Sequence, residues 1–386
     1  MRFVMFYHSL VSDWNHGNAH FLRGVATELL ARGHRVSVLE PRDSWSRINL
    51  LAQVGSAAID RFHRAYPALT SMQYHPDDLD LDRIFAGADV VLVHEWNDPA
   101  LVAAIGRHRA VSGGYRLFFH DTHHRSVSRP AEMAAYNLEH YDGVLAFGEV
   151  VRRRYVEAGW AERAWTWHEA ADHRMFRPIE SKRVDGDLVW IGNWGDDERT
   201  AEIEEFLLEP AASLGLRPRM YGVRYPQGAI DRLERAGVEY AGWTPNFNVP
   251  TVFARFRATV HIPRRPYVDA LPGIPTIRVF EALASGIPLL CAPWDDAEGL
   301  FRPGTDYLSA ADGADMTRQL ERLKADPGLR ASLVRHGLET IRARHSCAHR
   351  AEELLTIITQ LRSQSRSAAS AAVQSAPTEP VLRSVA

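Results

Sequence analysis

The chain has 386 residues, more than one hydrophobic core normally serves, and its 46% hydrophobic and 24% charged residues are the proportions of an ordinary globular protein. A formal net charge of −3 lacks the basic excess of a nucleic-acid binder, and the two cysteines, Cys291 and Cys347, exclude a disulfide framework and a Cys-based zinc site. The opening MRFVMFYHSLVSDWN is too short and polar for a signal peptide and no run has the length of a membrane helix, which leads us to expect a cytoplasmic protein without a membrane span.

Arg2 to Tyr7 reads as a short apolar strand, followed by the polar loop HSLVSDWNHGN. Phe21, Leu22, Val25, Ala26, Leu29 and Leu30 then form a helical stripe that stops at Gly33, and RVSVLEP is a second strand. Strand, helix and strand in this order make a βαβ unit with parallel strands. The alternation recurs: ADVVLVHEW, YRLFFHDTHH and DGVLAFGE read as strands, LVAAIGRHR and VVRRRYVEAG as helices. A polar break at HRMFRPIESKRVDGD precedes a restart at DLVWIGNWGDD, a helix AEIEEFLLEPAASLG, and strands RPRMYGV, ATVHIP and IPLLCAP.

The reading is an α/β protein of two Rossmann-like doubly wound domains facing across a cleft, residues 1–175 and 186–345. A C-terminal helix over 346–362 and a disordered Ser/Ala-rich tail over 363–386 complete it. Between the last two strands lies PTIRVFEALASG. Ile277, Phe280, Leu283 and Ala284 give it a core stripe, while Arg278, Glu281 and Ser285 share a second face. A helix start such as this, opening from the loop DALPGIP, is suited to an anion.

EALASGIPLL within two Rossmann-like halves resembles a GT-B glycosyltransferase of the retaining family 4 type. HDTHHR, DGVLAFGEVVRRRY, EAADHRMFRP and PTIRVFEALASGIPLLCAP are similar to the spore-maturation-protein (CgeB-like) branch of that superfamily. The resemblance covers residues 1 to 362. It implies a hexosyltransferase-type enzyme that uses a nucleotide-diphosphate sugar donor and an unknown acceptor, with retention; the second domain shows no DxD-like pair at a strand end, so arginines and helix N-termini are expected in place of a metal, and no cofactor or nucleic acid is expected.

The resemblance also distributes roles. Glu281 matches the glutamate that binds the donor ribose hydroxyls, where two carboxylate oxygens suit a vicinal diol. The family's second glutamate, eight positions earlier, is replaced by Gly273. Backbone N–H groups of the PGIPT loop, including Ile274 and Thr276, and the nearby Asp269 are the expected substitutes. The diphosphate grip falls on Gly192, Asn193 and Arg199 of IGNWGDDERT, with Arg278 or Arg264 supplying the charge that Asn193 lacks. His120 matches a histidine that faces the donor sugar, Asp121 beside it is placed to orient the acceptor or act as base, and Gly17 stands where the first loop nears the diphosphate. Arg278 is expected to act on charge developing in the transition state, so the catalytic set is His120, Asp121 and Arg278.

Other readings of the same residues stand beside these. Glu281 and Arg278 can be a simple ion pair, Arg199 a solvated partner of Glu202, and the His120–His124 stretch a zinc site or a plain hydrogen-bonded loop. Trp96, Trp194 and Trp243 follow strands and are candidates to line the cleft. The competing functions are a nucleotide-sugar epimerase of the same fold and a catalytically silent sugar-nucleotide binder. A dinucleotide oxidoreductase is disfavoured because the first turn lacks GxGxxG.

Overall fold

In the computed structural model, which describes residues 1–374, each apolar run becomes a central strand because burial on both faces suits uninterrupted Val, Leu, Ile and Phe. The first sheet contains β1 (Arg2–Phe6), β2 (Arg35–Pro41), β3 (Ser71–Tyr74), β4 (Val90–His94), β5 (Arg116–Asp121), β6 (Gly143–Ala146) and β7 (Ala164–Thr166). Its order is β3-β2-β1-β4-β5-β6-β7, and every pairing is parallel. The second sheet contains β8 (Gly186–Ile191), β9 (Pro218–Tyr221), β10 (Glu239–Tyr240), β11 (Phe256–His261), β12 (Leu289–Cys291) and β13 (Leu308–Ser309), ordered β10-β9-β8-β11-β12-β13 and also parallel throughout.

In each sheet the strand order reverses between two neighbours, β1 and β4 in the first and β8 and β11 in the second. The loops leaving those strands diverge there and open a crevice. The two crevices face one another.

Two helices differ from the sequence reading. The expected helix AEIEEFLLEPAASLG is divided into Thr200–Ile203, a π-helical turn Glu204–Leu208 and Glu209–Ser213. Pro210 has no N–H to donate into the preceding turn, which widens the ladder there. The final helix spans Cys347–Gln374, well past the expected end at residue 362; the rest of the expected disordered tail, residues 375–386, lies outside the described residues. This helix also leaves the second domain and packs on the first, against the Ala19–Ala31 helix. Trp167 Nε1 donates to Arg350 O at 2.9 Å, and Arg362 pairs with Asp89 at 3.0 Å.

A second tie between the domains comes from Glu298, in the loop after β12. Its carboxylate accepts from the Glu149 backbone N–H at 2.8 Å and pairs with His168 Nε2 at 2.8 Å. No helix among the described residues is long and apolar enough to cross a membrane.

Candidate functional site

The facing crevices join into one cleft of about 750 Å³. The first domain contributes the loop after β1 (His8, His16, Gly17, Asn18), Trp96 after β4, and Thr122 to Arg125 after β5. The second contributes Gly192 and Asn193 after β8, Tyr221 and Gly222 after β9, Trp243 to Asn246 after β10, and Ile262 and Arg264 after β11, with Thr276, Ile277 and Arg278 from the start of the Ile277–Ser285 helix. The site is therefore where the topology places a ligand, beyond the carboxyl ends of both sheets.

Its second-domain wall is cationic. Arg199 lies over the Trp190 ring, 4.9 Å from the centroid, and donates to Ile262 O at 3.0 Å and to Asn193 O and Oδ1, each at 2.7 Å. Arg264 also reaches Asn193 Oδ1, at 3.1 Å, and pairs with Glu198 at 2.7 Å. Asn193 thus positions two guanidinium groups through one amide oxygen, while its Nδ2 donates across the cleft to Asn15 Oδ1 at 2.6 Å. Burial, and then the charges of Arg264 and Arg278, push the Arg199 guanidinium down to about 9. It stays charged at neutral pH, in a site with more positive charge than its own carboxylates neutralise, so an anion is the natural occupant. Gly17, Gly192, Asn193, Arg199, Arg264, Thr276 and Arg278 are all brought to this cleft.

Glu281 is placed differently from the ribose-binding expectation. It is fully buried and does not border the cleft. Its Oε2 is paired with Arg278, its Oε1 accepts from Asn246 Nδ2 at 2.6 Å, and His20 Nδ1 lies 3.2 Å from the same oxygen. Burial raises the carboxyl, but Arg278 together with the His20 and Asn246 contacts outweighs it, leaving Glu281 below the usual carboxylate range. The pair with Arg278 exists, though as a buried network that aims Arg278 at the cleft and not as a surface bridge.

Gly273 and Ile274 also lie away from the cleft. Gly273 has φ +87°, a conformation glycine favours, and a side chain there would meet Glu298, whose Cγ lies 2.7 Å from the Cβ position. Ile274 is buried in the first domain's core, facing Gly148 so closely that a Cβ on Gly148 would come within 2.4 Å of Ile274 Cγ1. The PGIPT loop is thus a plug that docks the second domain on the first, and only Thr276 of it reaches the ligand space. Asp269, the expected substitute, is exposed and outside the cleft lining.

His120 and Asp121 sit below the cleft floor because β5 carries them inside the sheet layer; neither borders the cleft. His120 Nδ1 meets the Tyr7 hydroxyl at 2.7 Å, and burial lowers the imidazole to about 3. Asp121 accepts from Tyr155 OH at 2.9 Å and from His123 N at 3.0 Å, and burial raises its carboxyl. These contacts fix the turn that brings Thr122, His123 and His124 to the surface of the cleft. Burial keeps His123 and His124 well below the ordinary histidine value, so both present neutral rings. Of the three expected tryptophans, Trp96 and Trp243 border the cleft, while Trp194 is buried in the second domain's core.

Sequence reasoning missed several cleft residues: Glu169, Asn18, Asn246, Trp45 and Trp190. Glu169 lies in the stretch EAADHRMFRP, but nothing in its spacing separates a cleft carboxyl from a linker residue. Trp45 and Trp190 come from a helix start and a strand interior, so their position depends on which way the chain turns.

Residues 199–356 match the family model described as Glyco_trans_1_2, glycosyl transferase-like. No curated protein matches the chain. Solved structures do. Sucrose-phosphate synthase from Thermosynechococcus elongatus is 13% identical over 94% of this chain and 100% of its own, with a TM-score of 0.64. Anabaena HepE in complex with UDP and glucose is 13% identical over 93% of this chain and 100% of its own, at 0.65. An α-glucosyltransferase in complex with UDP and a 13-mer DNA containing an HMU base is 13% identical over 93% of this chain and 99% of its own, at 0.66. The architecture is therefore the two-domain GT-B fold of these structures, and residues 199–356 carry a glycosyl transferase-like domain.

Proposed function

We propose that the protein transfers a glycosyl group from a nucleoside-diphosphate sugar, bound in the interdomain cleft, to an acceptor that enters from the first-domain side. The observation that carries this reading is the convergence of Arg199, Arg264 and Arg278 on one wall of the cleft, the first two held by Asn193 and the third by Glu281. In glycosyl transfer the bond between the anomeric carbon and the diphosphate oxygen breaks and negative charge grows on the leaving group. Fixed guanidinium groups in a site shielded from water stabilise that charge without reorganising. The complexes of similar folds with UDP, and with UDP and glucose, support a uridine nucleotide as the first to test.

We further propose that the arginines serve in place of a metal ion, and that Tyr221, Trp190 and Trp243 provide apolar faces for the nucleoside. Retention is the stereochemical outcome we assign. The neighbour solved with DNA makes nucleic acid one acceptor class to include beside glycans and small molecules.

The test is a thermal-shift titration with UDP, ADP, GDP and their glucose conjugates, with and without EDTA. A nucleotide at a hundred times its dissociation constant stabilises by about 2.7 kcal/mol. Arg199→Met should abolish that shift, because it removes the charge but fills the space over Trp190. An EDTA-sensitive shift or turnover, restored by magnesium, would refute the arginine assignment, and the lack of any nucleotide response would refute the donor reading.

A further inference from the structure

Four carboxylates border the cleft: Asp13, Glu169, Asp196 and Glu198. Three are neutralised by an arginine, Asp13 by Arg23 at 2.8 Å, Asp196 by Arg224 at 3.0 Å and Glu198 by Arg264 at 2.7 Å. Glu169 alone has no cation within ion-pair distance among the described residues. It is only 7% exposed; Asn18 Nδ2 donates to its Oε1 at 3.2 Å and the Ile277 backbone N–H also faces it, but no cation neutralises it. It stands on the segment that leaves β7 for the second domain, opposite the start of the Ile277–Ser285 helix. A carboxyl left unpaired beside an anion site is costly if ionised, so its retention there calls for a ligand group.

We infer that Glu169 is the carboxyl that holds the transferred sugar, hydrogen-bonded to a hydroxyl of the donor glycosyl group. The inference rests on the donor reading above. The placement supports it: Arg278 marks the phosphate end of the donor, and the glycosyl group is attached to the terminal phosphate. A carboxyl next to Arg278 but on the other domain is therefore across the bond that breaks. Gly273, buried behind the Glu298 contact, offers no side chain for this task, and Glu281 is committed to His20, Asn246 and Arg278.

The protonation state agrees. Burial, with Glu281 adding to it against the opposing Asn18 contact and Arg278 charge, raises Glu169 to about 8. The groups facing it are Arg278 and Glu281 on the Ile277–Ser285 helix, Tyr267 on the short helix after β11, and Cys347 at the head of the last helix. Below about pH 8 the carboxyl is neutral, donates a hydrogen bond and does not repel a diphosphate. Above it, the ionised form faces the donor's own negative charge, and KM for the donor should rise.

The experiment compares UDP with UDP-glucose, by titration against wild type, Glu169→Gln and Glu169→Ala, with the other base pairs of nucleotide and conjugate in parallel. Glu169→Ala should leave UDP affinity unchanged and weaken UDP-glucose about tenfold, the scale of one hydrogen bond. Glu169→Gln, a permanent donor, should keep the affinity and remove the part of the alkaline weakening that UDP-glucose shows and UDP does not, since the loss of charge on Arg199 weakens both alike. If Glu169→Ala leaves the ratio of the two affinities unchanged, or Glu169→Gln leaves the pH dependence of that ratio unchanged, the sugar contact is refuted. If wild type binds none of the nucleotides or conjugates, the donor reading itself has failed. Preserved UDP affinity in Glu169→Ala also shows that the variant is folded.

Discussion

Removing the Glu281 carboxylate should destabilise the protein before it does anything to chemistry. Glu281→Ala leaves three groups without a partner inside the second domain and at the domain contact: the Arg278 guanidinium, Asn246 Nδ2 and His20 Nδ1. An exposed pair three residues apart on a helix is worth only about 0.3–0.5 kcal/mol. Breaking a buried one costs about 3–5 kcal/mol, because the remaining charge keeps its desolvation penalty. Since Glu281 is fully buried and Arg278 is less than a third exposed, we place the cost near the lower end, about 3 kcal/mol. Urea unfolding monitored by tryptophan fluorescence measures it. The pH dependence has a definite sign: the folded carboxyl lies below its unfolded value of about 4.3, so its contribution is complete above that value and is lost as pH falls through the folded one. An unchanged urea midpoint for Glu281→Ala, with nucleotide affinity alone reduced, would refute the buried-network argument and restore a direct ribose contact.

Two further variants probe the same architecture. Gly148→Ala should cost about 1–3 kcal/mol and loosen the domain contact, since its new methyl overlaps Ile274; limited proteolysis of the 167–185 segment should accelerate, and an unchanged rate would count against the plug. His120→Ala should lower the unfolding midpoint while leaving nucleotide affinity within twofold, because the ring packs on Tyr7 and Trp167 below the floor; a selective loss of turnover in a variant of native stability would put His120 back among the catalytic groups.

The sequence determined the long-range plan because it depends on period and punctuation. Uninterrupted apolar runs such as VVLVH and RLFFHD specify buried parallel strands, and the helical stripes with Gly and Pro stops between them specify crossovers, so two doubly wound halves follow. The short strands escaped: Ser71–Tyr74, Ala164–Thr166, Glu239–Tyr240 and Leu308–Ser309 are edges of two to four residues, formed only because a neighbouring strand offers its open hydrogen bonds. For the site, the resemblance pointed to Asn193 and Arg199 as the diphosphate grip, with Arg264 or Arg278 supplying charge, and all four border the cleft. What stayed hidden was direction. His120 and Asp121 differ from Thr122 and His123 only in falling before the chain leaves the sheet. Glu281 faces His20, which is 261 positions away in sequence, and Glu169 meets the cleft only because the last helix returns to the first domain and fixes the segment it lies on. Those facts belong to contacts between distant parts of the chain, and packing alone decides them.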